Sequence, residues 1–254
     1  MNLLAAELRK LTTVRTTWAV TAIGAVLVGV SASIYTFATE LTGPFTGSAE
    51  EVATTVSQIG GNSVIVLVVG ILAVTTEFRY GTIGRTLQLT PSRTRMMVAK
   101  LAAGGIYGVA FTAVGLVVVA VLVAIAGAVN GVGLTVDGAS GTALWEVLVG
   151  MVLTALLGVA VGALLRNQVL AIVLALVWVF VLENLFLALL PDVARWLPFQ
   201  ALQGVFTDPS AFSGAEGQMM AMDPLEPATA LTVFLGYVVV TTVAAVASMR
   251  YRDV

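Results

Sequence analysis

Cysteine and histidine are both absent from the 254-residue chain. Without thiols there are no disulfides, no thiol redox chemistry and no thiolate metal sites. Without imidazole, Ser-His-Asp hydrolysis, His-based metalloprotease sites and the commonest proton shuttle near neutral pH are excluded. Charge is scarce too: 10% of the residues are Asp, Glu, Lys or Arg, against about 25% in an ordinary soluble domain. The net charge of −2, from 12 basic and 14 acidic residues, implies neither a nucleic-acid partner nor a polyacidic one. Lysine is nearly missing, with Lys10 and Lys100 against ten arginines.

What the chain has instead is apolar length. Hydrophobic residues make up 59% of it, and the mean hydropathy is +1.02. A helix needs about 20 apolar residues to cross the hydrocarbon core of a bilayer. Six stretches qualify: Thr17–Ala38, Ile59–Thr76, Leu101–Ala128, Ala143–Leu165, Gln168–Leu190 and Ala228–Ser248. The second is the weakest, because Gly60, Gly61, Asn62 and Ser63 leave a continuous apolar run only from Val64 to Val74. The expectation is an all-α, six-span membrane protein, one transmembrane domain over residues 1–254.

Six spans put both termini on one side, and the basic residues say which. With the amino terminus cytoplasmic, eleven of the twelve basic residues fall in inner segments and only Arg195 falls outside, as the positive-inside rule requires. Most acids lie oppositely, with Glu7, Glu77 and Asp253 inside. Trp18, Trp145 and Trp196 sit near the span ends, where an indole can bury its ring and hydrate its N–H. Trp178 is mid-span, where packing is the expected role. The first apolar run exceeds the roughly 7–15 residues of a signal-peptide core, so it is read as a retained span. Before it, over residues 1–16, Leu4, Leu8 and Leu11 recur at helical spacing around Glu7, Arg9 and Lys10. That pattern describes a short helix in the inner interface with its leucines in the acyl boundary. Gly104/Gly108 and Gly158/Gly162 form G-x-x-x-G pairs that allow close helix approach, first within one subunit and only secondarily between two.

The inner segment 77–100 is the richest in chemistry. Thr82 can cap a short helix after Gly81, with Ile83 and Leu87 on one face and Arg85 on another. A second helix can start with Thr90 as cap and Pro91 in its first turn, running on into the third span. Two readings stand: a stiff knob held beneath the membrane by two spans and suited to mechanical coupling, or a solvated basic loop that only sets topology.

The order Glu77-Phe78-Arg79, Gly81-Thr82-Ile83, Thr86-Leu87, Thr90-Pro91 with Arg93, and Ala99-Lys100-Leu101 resembles the permease subunits of bacterial ABC type-two exporters. The leader Glu7-Leu8-Arg9-Lys10-Leu11 with Arg15-Thr16-Thr17-Trp18, then Val177-Trp178, Leu182-Glu183-Asn184-Leu185 and Arg195-Trp196-Leu197-Pro198, is similar to the same family. The resemblance implies an interfacial N-terminal helix and a coupling helix carried by Glu77, Arg79, Gly81, Thr82, Ile83, Arg85, Leu87, Pro91 and Arg93. It also implies a second contact at Arg166-Asn167 and short external re-entrant helices before the last span. Two such permeases, copies or relatives, would work with two ABC ATP-binding subunits and move substrate outward. No G-x-x-x-x-G-K-[ST] phosphate loop occurs here, so ATP and Mg would be bound by the partner chain and no cofactor by this one.

The outer segment 191–227 holds five of the seven prolines among large apolar residues. It is expected to form short helices in the outer interface, broken at Pro198 and Pro209, acting as a lid or as a direct substrate contact. Glu183 is the one acid clearly inside a span. Ionised near the centre of an isolated helix it would cost about 2.5–3.5 kcal/mol, so it must be protonated, paired or facing water. Asn184 adjoins it but cannot share its face, so any partner is expected on another helix. Glu183 is either a polar point on a transport path or an interhelical hydrogen bond. An intramembrane enzyme lacks both His and paired aspartates, and neither catalytic nor metal residues are expected. A channel lacks the polar stripe it would need. A non-transporting scaffold or channel-type subunit is the alternative to an exporter subunit whose apolar walls suit a hydrophobic or amphiphilic substrate.

Overall fold

The computed structural model describes residues 3–37, 44–84, 92–206 and 224–251. Among these every regular element is helical. In chain order they are α1 (Leu3–Thr13), α2 (Arg15–Phe37), α3 (Ala49–Gly61), α4 (Ser63–Arg79), α5 (Arg93–Asn130) and α6 (Gly138–Leu165). There follow α7 (Gln168–Val177), a π-helical turn (Trp178–Leu182), α8 (Glu183–Leu189), α9 (Pro191–Ala194), α10 (Pro198–Phe206) and α11 (Pro227–Tyr251). Six helical units are long and apolar enough to cross a membrane: α2, α3 with α4, α5, α6, α7 through α8, and α11.

The second span differs most from its expected bounds. Its helical unit starts at Ala49, ten residues before Ile59, because Ser48 caps it in a capping box with Glu51. The unit breaks at Asn62, whose side chain donates to Gln58 O at 2.9 Å and to Ser31 Oγ at 3.3 Å. Those bonds answer the polarity that made Gly60 to Ser63 look unfit for a span, and α3 buries Val52, Val56 and Ile59. The third span also begins early. Ser92, not Thr90, caps α5, its hydroxyl accepting from Arg95 N at 3.4 Å; Thr90 and Pro91 lie outside the described residues. At 38 residues, α5 is about 57 Å long and overshoots a hydrocarbon core of about 30 Å.

Helix α6 is the central post, packed against α3, α4, α5 and α11. Of its most apolar window 61% is buried, against 22% for α2, 22% for α11 and 11% for the fifth span, so those three lie toward the outside of the bundle. Close approach at the post comes from glycine. A Cβ on Gly158 would stand 2.4 Å from Leu67 O of α4, and one on Gly108 would stand 2.8 Å from Met151 O of α6. Both G-x-x-x-G pairs therefore face helices of the same chain, at the α4–α6 and α5–α6 seams. Buried Thr75, Thr112 and Thr154 satisfy their hydroxyls on the carbonyl four residues back, so no buried hydroxyl among these three is left without a partner.

The fifth span is not a uniform α-helix. Its π-helical turn at Trp178–Leu182 is a local widening of a kind that often marks functional sites. At the bundle end opposite the chain termini, α9 and α10 follow. Pro198 does mark a break, as the first residue of α10, while Pro209, Phe212, Met219, Met220 and Met222 lie outside the described residues. Helix α10 is deeply packed: Phe199, Leu202, Val205 and Phe206 are all buried, and Phe206 lies against Gly60 and Gly150.

Candidate functional site

At the end of the bundle that carries the termini, four charged side chains from three helices form a closed ring. Glu7 and Lys10 are one turn apart on α1, Glu77 is in the last turn of α4, and Lys100 is two turns into α5. Lys10 Nζ lies 2.7 Å from Glu7 Oε1 and 2.6 Å from Glu77 Oε1. Lys100 Nζ lies 3.0 Å from Glu7 Oε2 and 2.7 Å from Glu77 Oε1, and 3.4 Å from Ala73 O. Charges alternate around the ring and sum to zero, which is what permits its burial: Lys100 is 1% exposed, Glu7 4% and Glu77 6%. An uncompensated charge at that depth would be strongly destabilising. For Lys10, burial pulls the ammonium's pKa down, but the hydrogen bonds and charges of Glu7 and Glu77 outweigh it, and the net shift is upward. Among the described residues no hydrogen-bond donor reaches the buried Glu77 Oε2.

The interfacial helix expected within residues 1–16 is α1, Leu3–Thr13. It ends at Thr13, and its carboxylate Glu7 faces inward instead of lying on a solvated polar face. Trp18 fastens the α1–α2 elbow, its indole N–H donating to Thr12 O at 2.7 Å.

Between Glu77 and Lys100 the described residues are built outward from this ring. Gly81 turns the chain with φ +66, a left-handed conformation that glycine adopts without strain. Thr82 N then donates to Glu77 O at 3.0 Å. Ile83, expected on the face of a coupling helix, is buried with Met96 and Met249, with Phe78 packed against them. It is an anchor, because an apolar side chain leaving the membrane gains most by burial in its own bundle. Arg79, Gly81, Thr82 and Gly84 are exposed; Arg85, Leu87 and Pro91 lie outside the described residues.

Two arginines expected on the inner surface are turned onto α11 instead. Arg93 Nη1 donates to Met249 O at 2.8 Å and Arg166 Nη2 to Ser248 O at 2.9 Å. Cations on the last carbonyls of a helix complement its dipole. Arg166 takes φ 53 to reach there and stacks 5.7 Å over Phe78. At the expected second contact, Arg166-Asn167, Arg166 makes this internal tie, while the exposed Asn167 caps α7 by accepting from Leu170 N.

Glu183 has its partners. Its Oε1 accepts from Trp178 Nε1 at 2.7 Å and from Phe199 N at 3.0 Å, and its Oε2 from Gln200 N at 2.8 Å. The carboxylate thereby caps the first turn of α10, where free N–H groups and the helix dipole favour negative charge. The π-helical turn makes this possible by bringing Trp178 onto the face of Glu183, five residues on. Trp178 is therefore a hydrogen-bond donor, beyond the packing role expected of it. Asn184 points elsewhere and is exposed. Its Nδ2 donates to Val179 O and Phe180 O, both at 3.2 Å.

Over residues 3–182 the sequence matches the family model described as ABC-2 family transporter protein. The chain belongs to the ABC-2 transporter family. No curated protein matches it at a significant level. With six apolar spans, this ABC-2 protein is a multi-pass membrane transporter subunit. Permeases of the family are generally the membrane subunit without the ATPase site, and usually work with an ABC ATP-binding subunit. The matched stretch contains the whole charge ring and stops one residue before Glu183.

Sequence reasoning placed Glu77 in the site but not its three partners. A signal was present: the chain's only two lysines both stand at the membrane edge, one of them three residues from Glu7.

Proposed function

We propose that this chain is the membrane half of an ATP-driven exporter in a bacterial cytoplasmic membrane. Its termini and segment 77–100 face the cytoplasm, where a separate ABC subunit binds ATP and Mg and docks on that segment. A second permease copy or a related chain completes the path. Nucleotide-driven closure of the ATPases rocks the helices and moves a hydrophobic or amphiphilic substrate outward. The observation that carries this reading is the ring: Glu77 and Lys100, the two ends of the segment, are both ion-paired to α1. A push on the segment therefore reaches α1, α4 and α5 together through rigid buried contacts instead of dissipating in a loop. The arginine ties from Arg93 and Arg166 extend the same block to α11.

The docking face is then the exposed side of the turn, not Ile83. Among the described residues a Cβ on Gly84 meets nothing within 4 Å, so Gly84→Trp should keep the chain folded while obstructing a partner. Co-purification with the ATP-binding subunit and stimulation of its ATPase should each fall by about tenfold or more, as expected when a side chain blocks the centre of an interface. Gly61→Trp, equally open at the opposite end, should leave both unchanged. Unimpaired assembly and stimulation in the Gly84 variant would refute the coupling assignment. The cysteine-free chain also allows Gly84→Cys to be labelled alone, and modification by an impermeant reagent from outside intact cells would refute the orientation.

A further inference from the structure

Beside the charge ring lies a cavity of about 590 Å³, within the size range of small-ligand sites, roughly 300–1,000 Å³. It is walled by the α1–α2 elbow, the end of α4, the start of α5 and Gln168 at the start of α7. The charged residues on its wall are the four of the ring and Arg79, and they differ in what an occupant can reach. Both carboxylates are closed off. Glu7 is 4% and Glu77 6% exposed, the lysines occupy both oxygens of Glu7 and Oε1 of Glu77, and Glu77 Oε2 is buried. Lys100 is buried with them. The charges left open are two cations: Lys10, whose side chain is 43% exposed, and the exposed Arg79. An occupant therefore meets a positive wall, although the ring behind it is neutral.

The protein leaves donors on both cations. Lys10 spends two of the three N–H donors of an ammonium on Glu7 and Glu77. Arg79 stacks on Tyr80 at 5.6 Å and reaches Gln168 Oε1 only at 3.5 Å, and no ion pair to it occurs among the described residues. A guanidinium so placed suits a phosphate oxygen. Depth narrows the kind of phosphate. Thr16 and Thr17, in the first turn of the first span, line the cavity. Beside them exposed Trp18 donates its indole N–H to Thr12 O, an arrangement favoured at the water–lipid boundary. Leu11, Val14 and Leu72 give the same cavity an apolar side. Basic pockets between membrane helices at that level take anionic lipid heads.

We propose that this cavity binds the head of an anionic phospholipid from the adjoining leaflet, its phosphate on Arg79 and Lys10 and its acyl chains leaving along Leu11 and Val14. A zwitterionic head would bring an ammonium that finds no open carboxylate here and two cations that repel it. The apolar side and the boundary depth favour a bilayer lipid over a soluble phosphate compound, which has no chain to bury. The site is a property of this chain alone and stands whether or not an ATPase couples through segment 77–100.

Native mass spectrometry of the full-length chain, delipidated in detergent and titrated with defined lipids, tests it. Phosphatidylglycerol should be retained about tenfold better than phosphatidylethanolamine with the same acyl chains, a difference worth about 1.4 kcal/mol. Arg79→Gln should reduce phosphatidylglycerol retention severalfold, with Arg79→Lys restoring part of it. Thr16→Trp, an exposed position on the cavity wall, should block binding while the helical circular dichroism stays unchanged. Arg9→Gln and Arg15→Gln remove exposed cations that do not line the cavity and should leave retention unchanged, which separates a site from diffuse attraction to a basic surface. Free glycerol phosphate should compete only weakly. Four results would each overturn the assignment: equal retention of the two lipids, losses in Arg9→Gln and Arg15→Gln that match Arg79→Gln, retention insensitive to both Arg79→Gln and Thr16→Trp, or displacement by free glycerol phosphate at matched concentration.

Discussion

Removing Lys100 is the sharpest test of the ring. In Lys100→Met the side-chain volume is nearly kept while the ammonium is lost, so two carboxylates that are 4% and 6% exposed keep only Lys10 as counter-charge. Breaking one partner out of a buried ion pair destabilises by about 3–5 kcal/mol. For a chain of this size about 2–4 °C of thermal midpoint goes with each kcal/mol, so the midpoint should fall by about 6–20 °C. The control is Arg95→Met, five residues earlier on the same helix but exposed, which should change stability by no more than about 0.5 kcal/mol. Adding Glu7→Gln to Lys100→Met removes one orphaned charge and should recover part of the loss, with a coupling of about 1–3 kcal/mol in the double-mutant cycle. Thermal unfolding of the detergent-solubilised protein, followed by tryptophan fluorescence and circular dichroism, reads all four variants. If Lys100→Met were as mild as Arg95→Met, or if the cycle showed no coupling, the ring would not hold α1, α4 and α5 together.

Three further outcomes are expected. Glu183→Ala strips the first turn of α10 of its carboxylate and leaves Phe199 N buried without an acceptor; limited proteolysis near Pro198 should accelerate, and stability should drop by about 2 kcal/mol or more. Gly158→Ala forces a Cβ to within 2.4 Å of a backbone carbonyl and should reduce the folded yield sharply, whereas Gly61→Ala, in open space, should match wild type in size-exclusion chromatography. The raised pKa of Lys10 sets a sign for pH: its stabilising effect is complete below the ordinary 10.5 and fades as pH climbs through the higher folded value. The midpoint difference between wild type and Lys10→Met should therefore hold constant from pH 6 to about 10 and shrink above that; a decline already near pH 8 would contradict the ion-pair geometry.

How far residues alone lead depends on whether a neighbour in space is needed to read them. Ile83 and Leu87 look equivalent at i, i+4, yet Ile83 is claimed by Met96 and Met249, partners from segments that spacing cannot bring together. Arg93 and Arg166 read as inner-surface charge; both stand at the end of the bundle that carries the termini, and their guanidiniums are drawn to the carbonyl end of α11. The Gly60 to Ser63 break in the second span was visible as polarity. Its remedy, Asn62 bonded to Ser31 on α2, was not. Glu183 was expected to be protonated, paired or facing water, with any partner on another helix; Phe199 N and Gln200 N of α10 are such partners, but Trp178 on its own span is a third, which follows only from the π-helical turn.

Composition and periodicity were enough for the membrane, the number of spans and the seams where glycine lets helices touch. These follow from solvent transfer and helix geometry, which act residue by residue along the chain. The ring of Glu7, Lys10, Glu77 and Lys100, the carboxylate cap on α10 and the cavity beside Arg79 were decided by packing. Each joins groups distant along the chain, and its energy arises only when burial removes the water that would otherwise separate them.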